Sequence, residues 1–249
     1  MDERSTPGER RQPFRDAGGD GAIVFDPRRL SQASPELFEP AHYAAEAQPV
    51  QGQGGRGAAW FVRGVFGAGV LRRYRRGGWA AYVSDDAYWW RGETEVRSLR
   101  EFALLQRLRD KGLPVPAPIA AMYLRRGPLY RTAILVERIP DVRSFVDCVQ
   151  ADAAAAPWGA VGAAIGHCHR AGARHADLNA HNVLVDQARK PWLIDWDKGT
   201  MESAPGDWCI DVLNRLERSL RKRVAGLREG AIEQGMQTLR KAHALELGA

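Results

Sequence analysis

The residues best suited to chemistry in this sequence are two carboxylates and one amide at short spacing. Asp177 and Asn182 lie five positions apart, and Asp195 follows eighteen positions after Asp177. A carboxylate can orient a hydroxyl group and accept its proton, while amide and carboxylate oxygens are ligands that suit Mg²⁺. The pattern therefore predicts phosphoryl transfer, with Asp177 as the base, Asn182 as a metal ligand and Asp195 as the carboxylate that bridges metal and phosphates.

Two short apolar segments predict the hairpin that positions these side chains. Residues 183–185 and 192–194 have strand-like composition, and the turn-rich segment 186–191 joins them. Asp177 and Asn182 precede this hairpin in a loop, and Asp195 follows its second strand. The order H-x-D-x-x-x-x-N, apolar strand, Ile-Asp is typical of the catalytic and metal loops of the kinase fold.

A glycine-rich stretch earlier in the chain predicts a contact with phosphate. Between two strand-forming segments, residues 50–62 contain Gly54, Gly55, Arg56 and Gly57. Backbone N–H groups that are not shielded by side chains can wrap a phosphate. We therefore expect a β-hairpin here whose tip contacts the nucleotide.

The strand predicted at residues 69–74 carries the cation expected near the nucleotide phosphates. The kinase pattern has a lysine on this strand, and this chain has arginines instead. Alternation along the strand places Arg72 and Arg73 on opposite faces. Arg72 is the favoured candidate, because Val70, two residues before it on the same face, would contact the adenine; Arg73 is the alternative.

Apolar residues at three- and four-residue spacing predict a helix over residues 94–111. Glu101 lies in its middle and is predicted to pair with Arg72. The alternative is a surface pair between Glu101 and Arg97, one helical turn apart. Glu93 and Glu95 lie nearer the helix start, where acidic residues complement the helix dipole.

The order of elements predicts an α+β, bilobal, protein-kinase-like fold with a β-rich N-lobe and a small, mainly helical C-lobe. Residues 1–21 are polar and aperiodic, which predicts a flexible tail. The N-lobe is expected at residues 22–138, with its first strand at residues 22–25, and the C-lobe at residues 139–249.

Helices of the C-lobe are expected at residues 144–149, 157–169 and 208–223. The last of these has an apolar stripe that we expect to be buried, made of Ile210, Leu213, Leu216 and Leu220.

Composition limits the environment and the partners. The formal charge is +6, hydrophobic residues make up 45%, and no apolar run approaches the roughly 20 residues of a membrane span. The charged segment at residues 1–15 does not resemble a signal peptide, so we expect a cytosolic protein that at most rests on a membrane. Residues 56–76 and 215–228 each contain six basic residues, which favours nucleotide phosphates, nucleic acid or anionic lipid headgroups as partners.

Two further clusters contain residue types that occur at binding sites. The aromatic residues Tyr82, Tyr88, Trp89 and Trp90 favour packing within the lobe, with a platform for a sugar or a lipid surface as the alternative. His167-Cys168-His169 invites a metal, but residues two apart on a helix point to different faces. The three cysteines are far apart, which is typical of reduced thiols.

The sequence resembles the bacterial 3-deoxy-D-manno-octulosonic acid (Kdo) kinases, of the lipopolysaccharide core kinase family within the protein-kinase-like superfamily. The most specific matching segments are HADLNAHNVLV at residues 175–185 and WLIDWDKG at residues 192–199. Further segments are GGRG at residues 54–57, VLRRYRRGG at residues 70–78 and REFALLQRLRDKGLPVPAPIAA at residues 100–121. Together they cover most of the chain from about residue 36 to 223.

The resemblance implies ATP- and Mg²⁺-dependent phosphorylation of the 4-hydroxyl of Kdo on a lipid A precursor, at the cytoplasmic face of the bacterial inner membrane. Asp177 matches the family's catalytic aspartate, and Asn182 and Asp195 match its metal-binding pair. The expected partners are this glycolipid and the anionic membrane surface, with no nucleic acid. The sequence leaves the oligomeric state open, and Asp195-Trp196-Asp197 departs from the Asp-Phe-Gly of protein kinases, which leaves open whether Asp197 binds metal.

Two alternatives stand beside this interpretation. The first keeps the fold and changes the acceptor to a heptose, a small molecule or a protein serine. The second is a non-catalytic nucleotide-responsive module or a basic nucleic-acid binder, which the missing lysine favours. The presence of all three predicted positions, Asp177, Asn182 and Asp195, argues against the second alternative.

Overall fold

Helices and a large antiparallel sheet together give the chain an α+β fold in a computed structural model that describes residues 8–50, 59–74, 87–224 and 229–248. The strands are β1 (Arg10–Asp16), β2 (Gly19–Phe25), β3 (Gln48–Pro49), β4 (Ala59–Gly64), β5 (Gly67–Arg73), β6 (Tyr88–Trp89), β7 (Pro118–Arg126), β8 (Leu129–Glu137), β9 (Arg143–Ser144), β10 (Ala173–Arg174), β11 (Val183–Val185), β12 (Pro191–Leu193) and β13 (Thr200–Met201). The α-helices are α1 (Arg97–Asp110), α2 (Phe145–Ala151), α3 (Trp158–Arg170), α4 (Asp207–Arg223) and α5 (Glu229–Leu247), and 3₁₀ turns lie at Pro35–Phe38, Pro40–Glu46 and Glu93–Glu95.

The chain divides into two compact units. Unit 1 consists of residues 1–103 and 117–138, and unit 2 consists of residues 104–116 and 139–249. The division passes through α1, whose first half belongs to unit 1. In the described parts of the chain, no helix is both long enough and apolar enough to cross a membrane.

Unit 1 is built around an antiparallel sheet in the order β1-β2-β7-β8-β5-β4-β3, with β6 pairing along β8. Alternation along the strands decides which side chains are buried. Leu71 of β5 is fully buried in an apolar cluster with Phe38 and Leu135. The neighbouring residues Val70 and Arg72 therefore lie on the other face of the strand.

The prediction of a flexible tail at residues 1–21 is wrong for residues 8–21, the part of this segment that the structure describes. β1 and β2 form a hairpin in register from Arg10 opposite Phe25 to Asp16 opposite Gly19. Phe14 packs against the core, while the other β1 side chains are exposed. Because this edge strand has only one apolar contact with the core, its sequence resembles that of a tail. Glu93, assigned above only to the helix dipole, accepts hydrogen bonds of 2.7 and 2.8 Å from Arg11, which ties the hairpin down.

The glycine-rich segment lies partly outside the described residues. β3 and β4 pair antiparallel on either side of it, and the Val50 amide donates to the Ala59 carbonyl at 3.0 Å. Gly54, Gly55, Arg56 and Gly57, predicted to contact phosphate, lie outside the described residues.

The described part of the aromatic cluster packs within unit 1. The Trp90 ring lies 5.0 Å from the Tyr123 ring, and the Tyr88 ring lies 5.6 Å from the Tyr130 ring. Trp89 points outward and is 61% exposed. Tyr82 lies outside the described residues.

Unit 2 is held together by the packing of α3 on α5. Gly162 of α3 allows close approach, because a side chain there would meet the Leu239 carbonyl oxygen at 2.1 Å. His169 and His243 lie buried between the two helices, with 2.8 Å between Nδ1 of the first and Nε2 of the second. Helix α5 was not predicted, although Ile232, Met236 and Leu239 give it a buried stripe at helical spacing.

Helix α4 buries three of the four residues predicted for its apolar stripe. Ile210 is 56% exposed, which corrects its assignment to the stripe, and Cys209 is buried in its place. Leu213, Leu216 and Leu220 are buried as predicted. Cysteine behaves as a small hydrophobic residue in such positions.

Candidate functional site

The predicted hairpin of unit 2 is confirmed. β11 pairs antiparallel with β12, with Val183 opposite Leu193. One further backbone bond extends the pairing beyond the strands, because the Ile194 amide donates to the Asn182 carbonyl at 2.9 Å. This bond places Asn182 beside the residue that precedes Asp195.

His175 braces the loop that carries Asp177. Its Nδ1 accepts from the Asp177 amide at 3.2 Å, so Nε2 carries the proton and donates to the Ile194 carbonyl at 2.9 Å. The buried ring packs on Trp196 with 4.7 Å between ring centroids. Burial lowers the pKa of His175, which favours this neutral form. The motif contains His175, but its spacing alone did not indicate this bracing contact.

Asn182 is oriented by the backbone of Asp177. Its Nδ2 donates to the Asp177 carbonyl at 3.0 Å, and Asn179 Nδ2 donates to the same oxygen at 3.2 Å. A carbonyl oxygen can only accept, so the amide nitrogen of Asn182 must face it. The amide oxygen is therefore the atom of this side chain that can serve as a ligand. Asn179 had not been predicted as part of the loop's support.

Asp195 follows β12 in an unusual backbone conformation. Its φ is 65°, in the left-handed region that aspartate and asparagine tolerate better than most residues. Such conformations cost free energy and cluster at functional sites. The residue is exposed, and its neighbour Ile194 is bonded to both His175 and Asn182. Unit 2 thus links the backbones around all three predicted residues in one hydrogen-bonded network.

Helix α4 contacts this loop at two positions one turn apart. Arg215 Nη1 donates to Asp177 Oδ1 at 2.7 Å, and the Ala180 amide donates to the Ser219 hydroxyl at 3.1 Å. Both members of the ion pair reach solvent, with Arg215 49% and Asp177 62% exposed. Arg215 had been placed only in a basic cluster, since nothing in a separation of 38 residues signals such a contact.

The donor set of unit 2 fits a hard divalent cation. An amide oxygen and a carboxylate are the ligand types of Mg²⁺, which needs few protein groups because water and phosphates complete its coordination. Within the described ranges, the structure contains no group of three or more His, Cys, Asp or Glu side chains that could hold a metal ion.

In unit 1, Arg72 and Glu101 form an ion pair. Arg72 Nη2 lies 2.6 Å from Glu101 Oε1, and the side chains are 25% and 2% exposed. The Tyr74 hydroxyl donates to Glu101 Oε2, and the Arg72 guanidinium lies 5.2 Å from the centroid of the Tyr74 ring. Tyr74 was not predicted as part of this group.

Arg73 points to the opposite face of β5. Its Nη2 donates to the Phe38 carbonyl at 3.0 Å, and its guanidinium pairs with Glu39. The guanidinium also lies 5.7 Å from the centroid of the Trp60 ring. Arg73 therefore fastens the 3₁₀ turns to the sheet, while Arg72 is the arginine that meets the helix glutamate. Contact of Arg72 with phosphate stays a prediction.

Comparison with known proteins gives matches along most of the chain. The model of the family described as "Lipopolysaccharide kinase (Kdo/WaaP) family" matches residues 41–243. A protein of Stenotrophomonas maltophilia (strain R551-3) named 3-deoxy-D-manno-octulosonic acid kinase is 51% identical over 210 residues, 84% of each chain. A protein of the same name from Xanthomonas campestris pv. campestris (strain B100) is 46% identical over 236 residues, 95% of this chain and 94% of the relative.

Proposed function

Because this chain belongs to the lipopolysaccharide kinase (Kdo/WaaP) family, we propose that it transfers the γ-phosphate of ATP to the 4-hydroxyl of Kdo on a lipid A precursor. The observation that carries the proposal is 51% identity over 84% of the chain to a protein named 3-deoxy-D-manno-octulosonic acid kinase. The hydrogen-bonded arrangement around Asp177, Asn182 and Asp195 supports it. Lipopolysaccharide core biosynthesis is the corresponding process.

Asp177 is the proposed base. As the acceptor oxygen forms its bond to the γ-phosphorus, the hydroxyl proton passes to the Asp177 carboxylate. The bond between the γ-phosphorus and the oxygen shared with the β-phosphate breaks, and ADP leaves. The backbone of Asp177 is fixed by His175 and Asn182, so its carboxylate can align the hydroxyl with little reorganisation.

Asn182 and Asp195 are the proposed ligands of Mg²⁺. The bound cation would supply positive charge beside the triphosphate. Negative charge develops on the leaving group during transfer, and the cation would stabilise it. Asn182 offers its amide oxygen because its nitrogen is engaged, and Asp195 offers an exposed carboxylate.

Arg72 is the proposed replacement for the usual lysine, with Glu101 holding it. Gly54, Gly55, Arg56 and Gly57 are proposed to contact the nucleotide through their backbone. Arginine supplies a fixed charge and a planar fork of N–H donors, which suits phosphate oxygens.

Because of its family, we also propose the bilobal protein-kinase-like arrangement for this chain, with the boundary between the lobes at residues 138–139. Action on a membrane-embedded glycolipid further implies residence at the anionic cytoplasmic face of the inner membrane. The formal charge of +6 favours this location.

Phosphate transfer to defined acceptors tests the function. Purified protein with Mg²⁺ and γ-labelled ATP is offered the Kdo-containing lipid A precursor, a heptose-containing acceptor and a peptide with serine. We expect label on the Kdo acceptor alone, with phosphorus NMR placing it on the 4-oxygen. Label on heptose or peptide, or no transfer to Kdo, would overturn the proposal.

A further inference from the structure

The exposed pair of Arg215 and Asp177 has a feature that the proposed transfer does not use. Arg215 Nη1 donates to Asp177 Oδ1 at 2.7 Å, and Arg215 is 49% exposed. Within the described residues, its other N–H groups donate to no acceptor. A guanidinium has five N–H donors and can bind two carboxylates at once, so half of its fork is open to a ligand.

The proposed acceptor creates an electrostatic problem at this point. An octulosonic acid carries a carboxylate on the same sugar as the reacting hydroxyl. The Asp177 carboxylate must accept the hydroxyl proton while this second negative charge lies nearby. Like charges at such separations repel each other unless a cation lies between them.

We propose that Arg215 is the binding residue for the carboxylate of the acceptor sugar. This assignment rests on the proposed function. One edge of the guanidinium holds Asp177 while the other receives the acceptor carboxylate, so one cation lies between the two acids and offsets part of their repulsion. The enzyme would therefore select acidic sugars over neutral ones of similar shape.

The support of Arg215 suits this role. Ser219, one turn further along α4, accepts a hydrogen bond from the Ala180 amide at 3.1 Å, which fixes the helix to the loop that carries Asp177. The backbone of Arg215 is thus held relative to Asp177, while its exposed guanidinium can turn toward a ligand.

A cycle of two proteins and two acceptors tests the inference. Wild type and Arg215→Gln are assayed with the Kdo-containing precursor and with the same precursor whose sugar carboxylate is converted to the neutral carboxamide. We expect wild type to lose about fivefold in kcat/KM on the carboxamide, the effect of losing one exposed ion pair. Arg215→Gln should be about fivefold slower than wild type on the acid and nearly indifferent to the carboxamide change.

The cycle separates acceptor binding from simple support of Asp177. If Arg215 only positions Asp177, Arg215→Gln slows both acceptors by the same factor, which would overturn the inference. Equal wild-type rates on acid and carboxamide would also overturn it, and this measurement needs no variant. That result would leave the proposed function intact, whereas no wild-type transfer to either acceptor would remove the proposed function as well.

A matched control uses another exposed arginine–aspartate pair. Arg15 pairs with Asp20 in the β1–β2 hairpin of unit 1, and both side chains are exposed. We expect Arg15→Gln to keep the wild-type preference for the acid. Equal loss of that preference in Arg15→Gln would mean that general charge, not Arg215, selects the acceptor.

Discussion

Two arginine–carboxylate pairs, Arg72–Glu101 in unit 1 and Arg215–Asp177 in unit 2, differ in their exposure to solvent. In unit 1, Glu101 is 2% exposed and Arg72 25% exposed, and Tyr74 completes a network within the fold. In unit 2, Asp177 is 62% exposed and Arg215 49% exposed. The first pair is a part of the packing, and the second faces water.

This difference predicts where function and stability can be separated. Breaking a buried pair leaves an uncompensated charge, so a change to Glu101 should affect folding and activity together. Exposed ion pairs contribute about 0–1 kcal/mol. In unit 2, His175 and Asn182 form hydrogen bonds to the backbone near Asp177 and Asp195. Changes to the carboxylates of Asp177 or Asp195 should therefore lower the rate and leave the fold intact.

The largest separation is expected for Asp195→Asn. Asparagine tolerates the left-handed backbone at this position, so the fold should stay within about 1 kcal/mol of wild type. Loss of a charged metal ligand should lower kcat about 1,000-fold, as for other groups that stabilise transferred charge. Urea unfolding and the transfer assay measure the two effects. Unfolding of this variant would break the contrast between the units.

Glu101→Gln should show the coupled behaviour of unit 1. The change leaves Arg72 without its counter-charge in a mostly buried place, which should lower the free energy of unfolding by about 3 kcal/mol. ATP-dependent transfer should fall at the same time. Denaturant titration gives the stability change, and Glu95→Gln, an exposed acid just before the same helix, is the control with an expected change below about 0.5 kcal/mol. A stable but inactive Glu101→Gln would contradict the assigned coupling.

The two arginines of β5 give a sharper test within unit 1. Arg72→Ala should lower kcat/KM for ATP about 100-fold, because a fixed charge is lost from the proposed phosphate contact. Arg73→Ala removes a cation that bonds the Phe38 carbonyl, so we expect about 1 kcal/mol lower stability and a nearly unchanged KM for ATP. If Arg73→Ala instead impaired ATP use more than Arg72→Ala, the assignment would be reversed.

Acid should weaken unit 2 through its buried histidines. Burial lowers the pKa of His169 from 6.5 to about 3, and burial also lowers the pKa of His243. Below pH 6.5 the unfolded chain binds protons that the folded chain excludes, so stability is full at neutral pH and falls with acidification. His169 alone should account for about 2 kcal/mol lost between pH 7 and pH 5.

Denaturant titration at both pH values measures this loss. A His169→Gln, His243→Gln double variant should be less stable at pH 7 but depend less on pH. An unchanged pH dependence in that variant would exclude the pair as its source.

Much of the site was predictable because its signals are local. The segment from Asp177 to Asp195 contains both the turn and the strand pattern, and the hairpin follows from them. Alternation along β5 separated Arg72 from Arg73, and Val70 on the same face as Arg72 favoured Arg72; its pairing with Glu101 is observed. Arg215 and Tyr74 were missed because their contacts join residues far apart in sequence, which periodicity does not record.

The fold was less predictable where tertiary packing outweighs composition. The exposed side chains of β1 are mostly polar, so the sequence of this strand resembles that of a tail. In the structure, however, it pairs with β2. Helix α5 has an apolar stripe at helical spacing. Only the structure shows that α3 covers this stripe, with close approach at Gly162. The prediction that Ile210 lies in the buried stripe of α4 is wrong, because Cys209 is buried there instead.

Single-turnover transfer by Asp177→Asn tests most directly whether Asp177 takes the proton of the acceptor hydroxyl. With saturating ATP, Mg²⁺ and Kdo acceptor, we predict a rate about 1,000-fold below wild type, within the range for loss of a general base. The affinities for ATP and Mg²⁺ and the unfolding midpoint should be nearly unchanged. A wild-type rate in this variant would contradict the account.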